Sequence, residues 1–335
     1  MSSDSTGALH VPARDIPIPS SLSPAAQAYL TPQPRPRAEF PPLEDKAAWR
    51  AHIASVNEGL RPLLERIGSD LPMKVEEREV AGVRLYDITP PGASPESGGI
   101  ILDMHGGGLI LCAGELCRTM GVGVAARFQE RVWAVDYRMP PDHPYPAALD
   151  DGLAVYRALL RERSPQEIII SGASAGGNLA AALILRARDE GLPLPAAALL
   201  NTPEIDLTES GDSFQTNLGV DQGLSSLMPA NLLYANGEDL RHPYLSPLFG
   251  DFSKGFPPTL LATGTRDLYL SNTVRMHRAL RAADIPAELH VVEAGGHGGL
   301  PGAPEGEEID REVRRFIEAA WRKSPRAPSQ ASLPS

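Results

Sequence analysis

Ser174 stands in Gly172-Ala173-Ser174-Ala175-Gly176, directly after the apolar run Ile168-Ile169-Ile170 and just before a stretch of helical pattern. By this composition a Gly-x-Ser-x-Gly pentapeptide arises by chance in roughly one chain in five, so its setting decides its meaning. Strand, tight turn, then helix is the setting of a nucleophile elbow, where a strained turn exposes the serine hydroxyl at a helix N-terminus. Glycines two residues to either side let strand and helix approach closely. An ordinary glycine-rich turn or a phosphate cradle would share these residues, but no Gly-Lys-Ser/Thr follows. The second candidate is His105-Gly106-Gly107-Gly108, immediately after Ile100-Ile101-Leu102-Asp103-Met104. Three consecutive glycines leave backbone N–H groups free to face a ligand oxygen, as stabilising a tetrahedral oxyanion requires. A flexible linker fits poorly directly after a buried strand.

A serine hydroxyl is a weak nucleophile until a base takes its proton, and the base needs an orienting acid. Of the eight histidines, His297 in Ala294-Gly295-Gly296-His297-Gly298-Gly299 lies just past the last strand-like run and is the best placed. His10 is near the N-terminus, His52 and His277 fall in helical stretches, and His143 and His242 sit in proline-containing turns. His290 is mid-strand and His105 belongs to the glycine loop. Asp267, in Gly264-Thr265-Arg266-Asp267, follows the preceding run and is the candidate acid. Alone it would read as the N-cap of a helix starting near 271, with Glu293 or a carboxylate of the long insertion next in line as acid. The chain order Ser174, Asp267, His297 favours the triad, because it is the α/β-hydrolase order and not that of chymotrypsin or subtilisin.

These residues need a rigid frame. Val75–Val80 and Val83–Thr89 flank Ala81-Gly82 and predict a hairpin leading into a sheet. Further strands are expected at Gly99–Met104, Val132–Asp136, Glu167–Ser171, Ala196–Leu200, Pro258–Thr263 and Ala287–Glu293. Helical patterns run over about 115–129, 146–163, 175–190, 271–283 and 305–322. Such alternation predicts an α/β fold with a mainly parallel sheet covered on both faces. Residues 204–255 break the rhythm without a clear strand, the signature of a functional insertion.

Upstream, Glu44–Gly68 reads as an amphipathic helix through Trp49, Ile53, Val56, Leu60, Leu63, Leu64 and Ile67, which Pro62 should kink or split near Gly59. Residues 1–42 are proline-rich and predict an arm, either disordered or laid over the body. The boundaries expected are therefore 1–74 for arm and helix, 75–203 and 256–323 for the two parts of the α/β unit, 204–255 for the insertion, and 324–335 for a fraying tail.

Composition narrows the function classes. The 335 residues carry 42 acidic and 31 basic side chains, net charge −11, which argues against binding a phosphate backbone. No window approaches 18 uninterrupted apolar residues, and Met1-Ser-Ser-Asp-Ser-Thr has no secretory pattern, so the expectation is a cytoplasmic protein without a membrane span. Cys112 and Cys117, the two cysteines, exclude a disulfide scaffold and a four-thiolate zinc site, and read as reduced thiols near a helix start.

Taken together, His105-Gly-Gly-Gly, Gly172-x-Ser174-Ala-Gly-Gly-Asn178, Asp136-Tyr137-Arg138-x-x-Pro141 and Pro146-Ala147-Ala148-Leu149-Asp150-Asp151 resemble the hormone-sensitive-lipase family of α/β-hydrolases over residues 80–320. The resemblance implies a helical cap formed by the N-terminal helix and the insertion, and an oxyanion hole of the Gly107, Gly108 and Ala175 N–H groups. It implies a serine carboxylesterase acting on a small-molecule ester of short to medium acyl chain, with no metal or organic cofactor. A lactone, carbamate or activated amide is the alternative bond, and a non-catalytic receptor is disfavoured because His297 is present. Pairing of two copies, where relatives show it, runs through the last strand and helix, here 287–293 and 305–322. Three residues depart from the family pattern: Ala173 where an acid is usual, Gly298-Gly299 where a bulky apolar residue follows the histidine, and Glu204 where an apolar or aromatic residue is usual. These bear on substrate choice more than on the reaction.

Overall fold

A computed structural model describes residues 8–32, 39–68, 72–93 and 98–322 of the chain. The expected fraying tail at 324–335 lies outside them. Each predicted strand forms, to within two residues at its ends: β1 (Lys74–Val80), β2 (Val83–Thr89), β3 (Ile100–Met104), β4 (Val132–Val135), β5 (Ile168–Ala173), β6 (Ala197–Asn201), β7 (Thr259–Gly264) and β8 (Ala287–Val292). They build one sheet in the order β1-β2-β4-β3-β5-β6-β7-β8. The β1–β2 and β2–β4 pairs are antiparallel, and every pair from β4 to β8 is parallel. The central strands β3 to β7 are short, largely apolar and buried runs because both faces are covered there, whereas the edge strand β1 is polar and mostly exposed. Ile100, Leu102 and Met104 face one helix layer and Ile101 the other, as a period of two requires.

The helices are α1 (Pro24–Tyr29), α2 (Lys46–Gly68), α3 (Glu115–Phe128), α4 (Ala147–Glu162), α5 (Ala175–Asp189), α6 (Ser213–Thr216), α7 (Met228–Ala235), α8 (Leu270–Ala282) and α9 (Pro304–Arg322). α4, α5 and α8 cover one face of the sheet, α3 and α9 the other. Among the described residues no helix is long and apolar enough to cross a membrane.

Two expectations are corrected or sharpened. α2 runs unbroken through Pro62, so the predicted split near Gly59 does not occur. Gly59, Glu58 and Pro62 are exposed, so the carbonyl that Pro62 leaves without its N–H partner can be hydrated. Leu63, counted in the apolar stripe, is exposed. From Ile18 to Leu30 the arm is laid over the body: Leu22, Ala26 and Leu30 are buried against Val292, Ala294, Leu300 and Ala303, whereas residues 8–17 are exposed. Glu305 accepts from both the Ser23 N–H and hydroxyl at 2.6 and 2.8 Å.

The insertion contains α6, α7 and short 3-10 turns but no strand. It is tied deeply into the body, with Ile205, Leu207, Tyr234, Leu245 and Phe252 in the main core. Its α7 meets α2 around buried Trp49, together with Ile110 from the chain after the triple glycine.

Candidate active site

Ser174 sits between β5 and α5 with φ 57° and ψ −126°, a backbone conformation that a non-glycine residue holds only under constraint. The constraint is visible in its backbone: Ser174 N–H donates to the Asn201 carbonyl at 3.0 Å, and its own carbonyl accepts from Glu204 N–H at 3.0 Å. The flanking glycines are obligatory. A Cβ on Gly172 would lie 2.1 Å from the Gly176 carbonyl oxygen, and one on Gly176 would lie 1.9 Å from that of Met104. Ala173 contributes no side-chain hydrogen bond, so backbone pairing to β6 does the holding. Asn178 on α5 reinforces it, donating to the Glu204 and Leu245 carbonyls at 2.8 and 2.7 Å.

The glycine loop packs beside the serine, since a Cβ on Gly106 would lie 3.5 Å from the Ser174 Cβ. Gly107 and Gly108 both hold positive φ, at 122° and 57°. Among the described residues the N–H groups of Gly107, Gly108 and Ala175 have no acceptor, which leaves them free for a ligand oxygen. The adjoining motifs hold this loop. Tyr137 stacks on the His105 ring at 4.0 Å and its hydroxyl donates to the His105 carbonyl at 2.7 Å. Arg138 is clamped by Asp151, and Asp136 accepts from Arg84 and from the Gly114 N–H.

Asp267 and His297 come from the loops after β7 and β8 and meet at 3.3 Å between Oδ1 and Nδ1. A carboxylate only accepts, so Nδ1 carries the proton and Nε2 keeps its lone pair. The meeting requires the β8 loop to fold back over the end of β7. Gly264 permits this, because a Cβ there would lie 2.0 Å from the Gly295 carbonyl oxygen. Asp267 is fully buried, and its carboxylate also accepts from Thr263 Oγ1 at 2.7 Å and Tyr269 N–H at 2.9 Å. The N-cap of α8 is Tyr269, not Asp267. Glu293, the alternative acid, is exposed. No hydrogen bond joins the Ser174 hydroxyl to His297 among the described residues, a looseness common before substrate binds.

Residues that spacing did not reveal complete the arrangement. Asp221 of the insertion is buried and accepts three N–H groups: Gly223 at 2.7 Å, Leu268 at 2.8 Å and His297 at 3.1 Å. It therefore ties the acid loop to the base loop. Leu227 approaches Gly108, where a Cβ would lie 3.1 Å from its Cδ1. Glu204 is 1% exposed and its carboxyl makes no well-aligned hydrogen bond. Burial pushes its pKa up to about 7, although Tyr269 and Asn231 face it and favour the ionised form. Around His297, burial opposes the charged imidazolium, but the Asp267 hydrogen bond and the charges of Asp267, Asp221 and Glu204 outweigh it and raise the pKa above 6.5.

Comparison with known proteins identifies the fold and its relatives. Residues 101–300 match the family described as alpha/beta hydrolase fold. An esterase of Acinetobacter venetianus is 34% identical over 234 residues, 68% of this chain and 76% of its own. The solved structure of esterase E25 is 37% identical with a TM-score of 0.84, covering 93% of this chain and 98% of that one. A solved esterase of the bacterial hormone-sensitive lipase family is 28% identical with a TM-score of 0.73, covering 89% and 99%.

Proposed function

Since the chain belongs to the α/β-hydrolase fold family, in its bacterial hormone-sensitive-lipase branch of esterases, we propose that it hydrolyses carboxylic esters through Ser174, His297 and Asp267. The observation that carries this reading is a serine held at positive φ on the same end of the sheet as a bonded Asp–His pair. The Ser174 oxygen attacks the acyl carbonyl while His297 Nε2 takes its proton. Asp267 keeps the imidazole in the required tautomer and stabilises the imidazolium. Charge forming on the carbonyl oxygen is met by the free N–H groups of Gly107, Gly108 and Ala175. Collapse expels the alcohol, protonated by His297, and leaves an acyl-Ser174. Water activated by His297 then releases the carboxylic acid.

α2 and the insertion act as the cap over this site. Leu227 beside Gly108 narrows the space next to the oxyanion groups, which supports short to medium acyl chains. The same reading extends to pairing of two copies through β8 and α9, because β8 ends the sheet with Val291 exposed. Light scattering should then give twice the chain mass, and a single-chain mass would remove the pairing.

The deciding experiment is hydrolysis of p-nitrophenyl acetate, butyrate, octanoate and palmitate by wild type beside Ser174→Ala. Wild type should turn over the shorter chains with a burst and leave palmitate nearly untouched. The variant should fold normally and lose about 10⁶ in kcat. Turnover retained in the variant would mean a different nucleophile.

A further inference from the structure

His105, Cys117 and Asp136 come together behind the glycine loop, each from a different element: the end of β3, the first turn of α3 and the end of β4. Their ligand atoms all lie within 4.8 Å of one another. The three residues are 2%, 0% and 9% exposed. His105 Nδ1 lies 2.7 Å from the Gly106 carbonyl, which only accepts, so Nδ1 carries the hydrogen and the lone pair sits on Nε2. That Nε2 is buried and has no hydrogen-bond partner. An imidazole fixed by a carbonyl on one nitrogen and unpartnered on the other has the outer-shell arrangement of a metal ligand. Asp136 is fixed in the same way, accepting from Gly114 N–H at 2.9 Å and Arg84 Nε at 2.6 Å. A cavity of about 460 Å³ between α2 and the body reaches Asp136 past Asn57, Arg84 and Ala113, which supplies a route in from solvent.

We propose that His105, Cys117 and Asp136 form an inhibitory site for a thiophilic divalent cation such as Zn²⁺. Nitrogen, thiolate and carboxylate are the ligand types this ion takes, with a fourth position left for water. As the ion binds, the Cys117 S–H bond breaks, an S–metal bond forms, and one proton leaves to solvent. Thiolate and carboxylate then balance the double charge of the ion. Around a tetrahedral ion the ligand atoms stand roughly 3.3–3.5 Å apart, given bonds of about 2.0 Å to nitrogen and 2.3 Å to sulfur. The three side chains must therefore close by up to about 1.4 Å. Cys117 is fixed on α3 and Asp136 by its pairs, so His105 moves most. It draws on its stack with Tyr137 and on Gly106, which packs against Ser174. Occupancy thereby displaces the oxyanion N–H groups and slows the chemical step.

Titration of the full-length protein with Co²⁺, in a non-thiol reductant, reads the site without using catalysis. A thiolate-to-cobalt charge-transfer band saturating at one ion per chain is expected, and Zn²⁺ should displace it. Zn²⁺ should also lower kcat on p-nitrophenyl butyrate by about 10²-fold, the size of losing one oxyanion donor, and a chelator should restore it. Cys117→Ala and Cys117→Ser should abolish both effects and keep metal-free turnover at the wild-type level, whereas Cys112→Ser should change neither. No band in the folded wild type, or a band surviving in either Cys117 variant, overturns the site. A Cys117-dependent band with undiminished turnover overturns its inhibitory coupling.

Discussion

Of the three carboxylates that favour protonation of His297, only Asp267 is bonded to the imidazole, while Asp221 and Glu204 act through space. The base works only when neutral, so a raised pKa moves the acid limb of kcat/KM upward in pH. Asp221→Asn removes one negative charge and with it part of that rise, so the limb should move to lower pH by roughly half a unit. The same change weakens the grip on the Leu268 and His297 N–H groups and should reduce kcat about tenfold. A pH profile of kcat/KM with an unmoved limb and an unchanged rate would show that the two loops are held without Asp221. The bonded Asp267–His297 pair, the Ser174 turn and the glycine loop were legible because they are residue types at fixed places relative to strands. Asp221 was not, since its partners are backbone N–H groups up to 76 residues away, which leave no mark on side-chain identity. Glu204 stood out only as an unusual acid, and the sequence carried no sign that it is buried.

Strand positions were readable because a strand buried on both faces must be a short apolar run, and Ile168-Ile169-Ile170 admits little else. Pro62 does not split α2 because the proline rule assumes a carbonyl that cannot find another partner, and on the exposed side of α2 water can serve. The arm was half legible: its prolines limit regular structure to the short α1, which Pro24 opens, but they do not show what it covers. It covers the loop that carries the base. Leu30 accepts from Gln222 of the insertion at 2.9 Å, and Arg266, next to Asp267, reaches the Pro17 carbonyl at 2.7 Å. Deleting residues 1–32 should therefore lower Tm by roughly 5–10 °C through the lost burial of Leu22, Ala26 and Leu30. It should also reduce kcat more than it changes KM. A shortened chain with unchanged melting and kinetics would leave the arm without a role in positioning His297.

Across the whole molecule, several buried acids hold their protons more tightly folded than unfolded. Burial pushes Asp103 up to about 6 and Glu130 and Glu204 up to about 7. Between the unfolded carboxylate range near 4 and these values the folded state binds more protons, so stability falls as pH rises. His297, raised above 6.5, acts in the same direction, its contribution being lost as pH rises through its folded value. Asp87 behaves oppositely: burial opposes its charge, but Arg131 and Arg78 lower its pKa, so its contribution is complete above about 4 and lost only in stronger acid. A net charge of −11 adds self-repulsion at higher pH. Tm should therefore peak near pH 5 and decline toward pH 8, whereas turnover should rise over the same interval; calorimetry showing Tm flat or rising there would contradict these assignments. The threading of the insertion through the body also bears on protein engineering. Because Asp221 suspends the loops of both acid and base, residues 204–255 are not an interchangeable module. A foreign segment grafted there to alter selectivity must bring its own carboxylate to that point, or the Leu268 and His297 N–H groups lose their acceptor and the graft disables the catalyst it was meant to retune.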